Sequence, residues 1–365
     1  MDRIYVTYAF VGDDPAAIAD VIRVEQTIEF PYELAPSWIQ EEVVGKVEEI
    51  SSTDKAHHLI TISYNPEVTG GELNQLLNVI WGNVSLFPGI RIVDLNLPNS
   101  LLARFSGPRF GIDGLRKLLN APTRPVVATA LKPMGSDAKS LAKMAHTLAL
   151  AGFDLIKDDH SLANQPWANW RERVTLVSRA IQEANAITGG DSVYAPSLNL
   201  PFDQIHDAAF TAKELGAGAL LVLPGITGFD SLRTIAADES LGIPVLGHPA
   251  MLGTLVISKE LGVSHGIILG TFMRLAGADI SIFPNIGGRF SFIAEQCLEI
   301  ADRSRGKLGD LKPLMIAPAG GMTLERIPEM IDMYGKDSAL LIGGALSRGE
   351  LADNAARMCE MVRSY

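Results

Sequence analysis

The stretch Gly152-Phe153-Asp154-Leu155-Ile156-Lys157-Asp158-Asp159-His160 decides how the chain is read. A short apolar run ends in a lysine and an aspartate spaced by two. Residues at that spacing on a strand point the same way, so Lys157 and Asp159 can converge on one point. A buried ammonium is costly unless it is paired or chemically altered. A divalent cation is a natural candidate for the point where the two side chains meet.

Working outward, the same rhythm recurs from about residue 124 onward. Apolar runs at 125–131, 154–157, 192–197, 219–223, 244–247, 279–283, 313–317 and 339–342 end in polar or glycine residues. Helical patterns separate them, at 138–151, 170–186, 204–215, 229–238, 290–304, 323–333 and 354–363. Continuous apolar strands alternating with amphipathic helices predict a parallel sheet buried on both faces. Eight of them match a closed (β/α)8 TIM barrel. A doubly wound open sheet would usually carry a glycine-rich loop after its first strand. Here the first run ends Thr129-Ala130-Leu131-Lys132-Pro133 instead.

Residues 1–120 read differently, with strands expected at 4–10, 47–51, 58–64 and 89–95 and helices at 14–25 and 71–81. This predicts a small N-terminal α+β, ferredoxin-like domain at 1–120 ahead of a barrel domain at 121–365. The fold class is therefore α/β, with the barrel dominant.

The chain has 365 residues, 47% of them hydrophobic, and a net charge of −11. Mean hydropathy is +0.18, yet no run reaches the roughly 20 apolar residues of a membrane span. No export leader is recognisable at Met1-Asp2-Arg3. The two cysteines, Cys297 and Cys359, are far apart, which fits a reducing cytoplasm rather than a disulfide scaffold or a thiolate metal site. No basic cluster points to nucleic acid. A cytoplasmic protein with no membrane or nucleic-acid partner is expected.

A barrel of this type places its site at the C-terminal strand ends. Those ends carry Lys132, then Lys157, Asp159 and His160, then Ser197 and Asn199, then His248, then Asn285 and the Gly287-Gly288-Arg289 loop. Gly320-Gly321 and Gly343-Gly344 follow the last two strands. Paired glycines on neighbouring strands let main-chain N–H groups approach a phosphate, although turn geometry alone also favours glycine. One lysine can transfer protons with a lowered pKa. The other can add carbon dioxide and become a carbamate oxygen ligand. His248, in Leu246-Gly247-His248-Pro249-Ala250-Met251, suits a site role. His160 can ligate a metal or cap the next segment. His57, His58, His146, His206 and His265 read as ordinary structural residues.

At these positions the chain resembles the RuBisCO large-subunit superfamily over nearly its whole length. The matching segments include Gly82–Leu95, Gly107-Pro-Arg-Phe-Gly-Ile112, Arg124–Pro133, Gly152–Asp159, His248–Met251, Arg274–Asp279, Gly288-Arg289, Ala319–Gly321 and Gly343-Gly344. The resemblance implies a site between two subunits of a homodimer, with larger assemblies of dimers open. It implies Mg²⁺ on a carbamylated Lys157 and on Asp159, proton transfer by Lys132, and Asn83 donated by the partner. Glu25 matches less closely a partner-domain glutamate.

The departures are informative too. The family's third ligand, a glutamate, is His160 here, and its mobile-loop lysine is Arg289. Pro249, Ile282 and Ala319 stand where the family carries arginine, histidine and serine for one of two phosphate pockets. The pocket of Gly320, Gly321, Gly343 and Gly344 survives. The chain thus looks like a form IV RuBisCO-like protein acting on a sugar monophosphate, not a carboxylase. The run Lys157–His160 followed by Leu162-Ala163-Asn164-Gln165 looks most like the branch of apiose and apionate breakdown. That branch implies a lyase or C–C hydrolase acting on a β-keto sugar acid such as 3-oxo-isoapionate 4-phosphate, with His248 and Asn199 orienting hydroxyls. The alternatives are an enolase or isomerase of a methylthio-sugar phosphate in methionine salvage, or a non-catalytic relative. In the enolase branch the base is a lysine near position 83, where this chain carries asparagine.

Overall fold

A computed structural model describes residues 2–365. In the N-terminal part, β1 (Ile4–Val11), β2 (Lys46–Ser52), β3 (His57–Tyr64) and β4 (Ile90–Asn96) form antiparallel pairs. Ile4, Val6 and Tyr8 alternate inward along β1 and are fully buried, the period-two pattern of a half-covered sheet. They belong to one core with Ile22 of the helix Pro15–Glu25 and with Leu76 and Ile80 of Leu73–Trp81. Asp14 caps the first of these helices by accepting from Ala17 N at 2.9 Å.

The barrel strands are β5 (Val126–Leu131), β6 (Leu155–Asp158), β7 (Val193–Ala195), β8 (Leu220–Val222), β9 (Val245–Gly247), β11 (Ile280–Pro284), β12 (Met315–Ala319) and β13 (Ala339–Leu341), with β10 (Gly262–Val263) lying outside it. All eight barrel strands fall where the apolar runs predict them. They pair in parallel in the order β7-β6-β5-β13-β12-β11-β9-β8. A parallel bridge from Ser197 to Leu221 joins the two ends, with Leu198 N donating to Leu221 O at 2.8 Å. The sheet closes on itself, leaving no edge.

Strand β10 instead extends the N-terminal sheet, pairing with Arg91 and Ile92 of β4. No sequence pattern marks it, because two residues carry no periodicity. Gly262 is required there: its φ is +114° and a Cβ would lie 2.1 Å from Leu255 O. The wholly buried segment Ile267–Phe272 was likewise hidden, since it is apolar on every side. The helix expected from Phe290 starts at Ala294. The one expected from Thr323 is a short 3₁₀ turn followed by Ile327–Tyr334.

Two layers of core follow from strand alternation. Ala128, Leu155, Ala195, Leu221, Leu246, Ile280, Ala317 and Leu341 fill the barrel interior. The helix Gly111–Leu118 closes the lower end with Ile112 and Leu115. Asp279 holds that helix by accepting from Phe110 N at 2.7 Å and Gly111 N at 2.9 Å. Burial pushes the Asp279 carboxyl up to about 6, against those main-chain donors. Among the described residues no helix is long and apolar enough to cross a membrane.

On β6, Leu155 and Lys157 face the barrel axis while Asp158 faces the surrounding helices. Asp158 is fully buried and meets Arg173 Nε at 3.1 Å. It also accepts from Tyr194 OH at 2.7 Å and Ser197 N at 3.0 Å. Removing one partner of such a buried pair leaves an uncompensated charge. Arg173→Leu is therefore expected to lower stability by ~3–5 kcal/mol in urea unfolding. A loss below ~1 kcal/mol would contradict a stabilising role for this ion pair.

Candidate active site

The C-terminal strand ends open into a cleft of about 1290 Å³. Of the expected site residues, Lys132, Lys157, Asp159, His160, His248, Arg289, Gly320, Gly321, Gly343 and Gly344 line it, while Asn83, Ser197, Asn199 and Asn285 do not. Asn199 stands off the cleft. The chain before it is committed to the barrel seam, where Ser197 N and Leu198 N donate to Asp158 and Leu221. Asn83 is exposed on a turn of the N-terminal part. Its amide donates to Glu25 Oε1 at 2.8 Å and Glu29 Oε2 at 3.4 Å. Asn285 is buried and structural, accepting from Tyr334 OH at 2.6 Å.

Register explains the central cluster. Lys157 pairs with Ala130 on β5, and the small alanine leaves room for the lysine above the apolar interior. Lys157 is only 2% exposed. Its hydrogen-bond acceptor is the carbonyl of Asp158, at 2.9 Å. Burial brings its pKa down to about 8; Asp159 opposes the shift and Lys132 adds to it. Burial alone would raise the Asp159 carboxyl. Hydrogen bonds from His160, Lys132 and Ser161 reverse this and hold it well below the usual carboxylate range. Lys132 forms an ion pair with Asp159 Oδ2, Ser161 Oγ donates to Oδ1 at 2.7 Å, and His160 Nδ1 lies 3.3 Å from Oδ1.

The His160 and His248 rings stack at 4.6 Å between centroids. Ala250 N–H donates to His248 Nδ1 at 3.1 Å, which leaves the ring proton on Nε2. Burial, then the charges of Lys157 and His160, hold His248 well below its ordinary pKa. It is a neutral imidazole that offers an N–H.

Among the described residues no three His, Cys, Asp or Glu side chains form a metal-holding group. The unmodified cluster offers one carboxylate and one imidazole beside two ammonium groups, so it does not fit a cation as it stands. A carbamate on Lys157 would replace a repelling charge with an oxygen donor and complete a set of two oxygens and one nitrogen.

The glycines divide into two kinds. Gly321 has φ +68° and a Cβ there would sit 2.3 Å from Gly288 Cα, so loop packing alone demands it. Arg326 fastens the same two loops, donating to Ile286 O at 2.8 Å and Gly321 O at 3.1 Å. Gly344 meets nothing within 4 Å and has no left-handed φ, so packing does not require glycine there. Among the described residues the N–H groups of Gly321 and Gly343 donate to no main-chain or side-chain acceptor, while Gly320 continues the pairing of Ala319 with Leu341. The wall over strands β9 and β11 is apolar, with Pro249, Met251, Ile257, Ile282, Phe290 and Phe292. Met251 is 65% exposed and Phe290 47%. Sequence reasoning singled out Pro249 and Ile282 but passed over Ser161, Arg326 and the wall residues Met251, Ile257, Phe290 and Phe292, because each is an ordinary residue type with no distinctive spacing.

The pattern described as "Ribulose bisphosphate carboxylase large chain, catalytic domain" matches residues 111–358. A "Ribulose bisphosphate carboxylase-like protein 1" of Rhodopseudomonas palustris is 39% identical over 100% of this chain and 98% of its own. A "5-methylthioribulose-1-phosphate isomerase" of Rhodospirillum rubrum is 36% identical, covering 97% and 95%. A "2,3-diketo-5-methylthiopentyl-1-phosphate enolase" of Geobacillus kaustophilus is 34% identical, covering 79% and 70%. The crystal structure of a Rubisco-like protein from Rhodopseudomonas palustris superposes with a TM-score of 0.91 at 36% identity, covering 100% of this chain and 99% of that one.

The lowered Lys157 pKa has a stability consequence. Between about 8 and 10.5 the unfolded chain holds this proton and the folded chain does not. Stability therefore rises with pH across that window, and the penalty is complete below it. Lys157→Met is expected to stabilise the protein by ~1–3 kcal/mol near pH 7. The gain should shrink as pH passes 8 towards 10.5. Urea unfolding at several pH values checks this, and a variant less stable than the wild type near pH 7 would contradict the buried-charge assignment.

Proposed function

The chain belongs to the ribulose bisphosphate carboxylase large-chain family, and from that premise we propose that it moves a proton next to the carbonyl of a sugar monophosphate with an apolar, methylthio-type end. The reaction is enolisation or isomerisation, without carboxylation. The observation that carries this reading is the apolar wall of Met251, Ile257, Phe290 and Phe292 beside the glycine pocket. A bisphosphate would leave its second phosphate against these apolar side chains, which cannot themselves offset its desolvation. An alkylthio group loses nothing there. The similarity to a protein named 5-methylthioribulose-1-phosphate isomerase supports the same reading.

In this mechanism the main-chain N–H groups of Gly321 and Gly343, with Arg289, hold the phosphate. Lys132 in its amine form takes the proton from the carbon beside the carbonyl. The electron pair moves onto the carbonyl oxygen, which takes the proton of the adjacent hydroxyl; that hydroxyl oxygen becomes the new carbonyl as the resulting ammonium returns the carbon-derived proton to the former carbonyl carbon. Asp159 orients Lys132 by accepting a hydrogen bond from its Nζ. His248 donates its Nε2–H to the oxygen that gains charge; a neutral imidazole with a fixed tautomer suits that task. Mg²⁺ held by carbamylated Lys157, Asp159 and His160 would polarise the same carbonyl as a Lewis acid. The N-terminal part, residues 1–120, serves the partner's barrel, residues 121–365, in a homodimer. The placement of Asn83 and Glu25 away from their own cleft supports this.

A second reading uses the same enolate, formed by loss of carbon dioxide or by C–C cleavage of a β-keto sugar acid such as 3-oxo-isoapionate 4-phosphate. His160, in the metal-ligand place of the family's glutamate, favours it. Incubation with 5-methylthioribulose 1-phosphate and Mg²⁺ in D₂O separates the two. We expect deuterium at the carbon beside the carbonyl with no loss of carbon, and Lys132→Ala should slow it by ~10²–10⁴-fold. No exchange with this substrate, together with carbon dioxide release or cleavage from the β-keto acid, would replace the first reading by the second. Carbamate formation needs the neutral amine, so a ¹³C-bicarbonate NMR signal should grow as pH passes about 8 and vanish in Lys157→Ala. A signal that persists in Lys157→Ala would remove the carbamate from this site.

A further inference from the structure

Four residues beyond Gly344, past the short turn Gly344–Ser347, stands Arg348. It lines the same cleft as Gly343, Gly344, Thr323 and Lys132. Its main chain is fixed: Asn354 Nδ2 donates to Leu346 O at 3.0 Å and to Arg348 O at 2.9 Å. The chain then leaves through Gly349 at φ +99°, a left-handed turn that glycine takes without strain. The Arg348 guanidinium is exposed. Among the described residues it donates to no carboxylate or carbonyl. Of the other arginines lining or bordering the cleft, Arg326 is engaged on Glu329 and two carbonyls, while Arg289 lies over the Phe290 ring at 5.1 Å on the facing loop. A planar donor fork held at a fixed main-chain position, without a protein acceptor, matches a phosphate oxygen pair.

We propose that Arg348 recognises the phosphate of the substrate, with Asn354 as the positioning residue that presents it beside Gly343 and Gly344. The assignment rests on the reading of the cleft as a monophosphate site. It gives that site a side-chain cation supplied by its last strand loop, in addition to the main-chain donors and Arg289. Selectivity for the phosphorylated substrate over its dephosphorylated form would then depend on Arg348. The arginine is not needed for the proton transfer itself.

The test is calorimetric titration of the full-length protein with inorganic phosphate, alongside steady-state kinetics on the sugar phosphate. Arg348→Ala should weaken phosphate binding by ~10–100-fold and raise KM in step, with kcat within about 2-fold. Arg348→Lys should recover part of the loss as a point charge, and Asn354→Ala should weaken binding less than Arg348→Ala. Unchanged phosphate affinity in Arg348→Ala, with the native circular dichroism spectrum, would overturn the proposal, as would a loss confined to kcat. The phosphate titration needs no turnover. Inactivity on methylthioribulose phosphate with Arg348-dependent phosphate binding would therefore sink the substrate reading while supporting this one.

Discussion

A lysine buried above the apolar interior of a closed parallel barrel is the constraint on which the site depends. Strand β6 has four residues, and its alternation divides them between two tasks. Lys157 faces the barrel mouth, while Asp158 turns to Arg173, Tyr194 and Ser197 in the layer outside. The outward ion pair and hydrogen bonds fix the strand against the helix Trp170–Thr188 and against β7. The inward ammonium has only a neutral carbonyl as hydrogen-bond acceptor. A core selected for stability alone would place an apolar residue there. What the position offers instead is an amine that is partly neutral around pH 8, next to a carboxylate kept ionised by three donors.

The rest of the cleft is organised around that cluster by close packing. Backbone contact between Gly288 and Gly321, fastened by Arg326, holds the loops of β11 and β12 together. Their N–H groups are thereby aimed before any ligand arrives, which lowers the ordering cost of binding. His248 gains its fixed tautomer from one main-chain N–H, that of Ala250. The apolar wall and the glycine pocket share one cavity, the arrangement on which the proposed ligand with one anionic and one apolar end rests.

Much of this was legible in the sequence. Eight apolar runs with helical spacers predicted the barrel because its strands are buried on both faces and read as continuous hydrophobic segments. The spacing of Lys157 and Asp159 predicted that they share a face. Other features were hidden for physical reasons. β10 is too short to show a period, and Ile267–Phe272 is apolar all round. Asn199 was expected at a strand end, but the barrel seam takes up the residues just before it. Asn83 cannot be tied to a cleft by any pattern within one chain. The decarboxylase branch was suggested by His160 and the residues after it. The apolar wall, set by Met251 and Ile257 after β9 and Phe290 after β11, became visible only when folding brought those two connections together.

The central claim is that the cleft takes one phosphate and one apolar end. Comparing kcat/KM for 5-methylthioribulose 1-phosphate, ribulose 1-phosphate and ribulose 1,5-bisphosphate in a proton-exchange assay tests it most directly. The account predicts the methylthio compound ahead of the hydroxyl-ended one by ~10–100-fold, with the bisphosphate poorest. A preference for the bisphosphate, or equal use of all three, would contradict it.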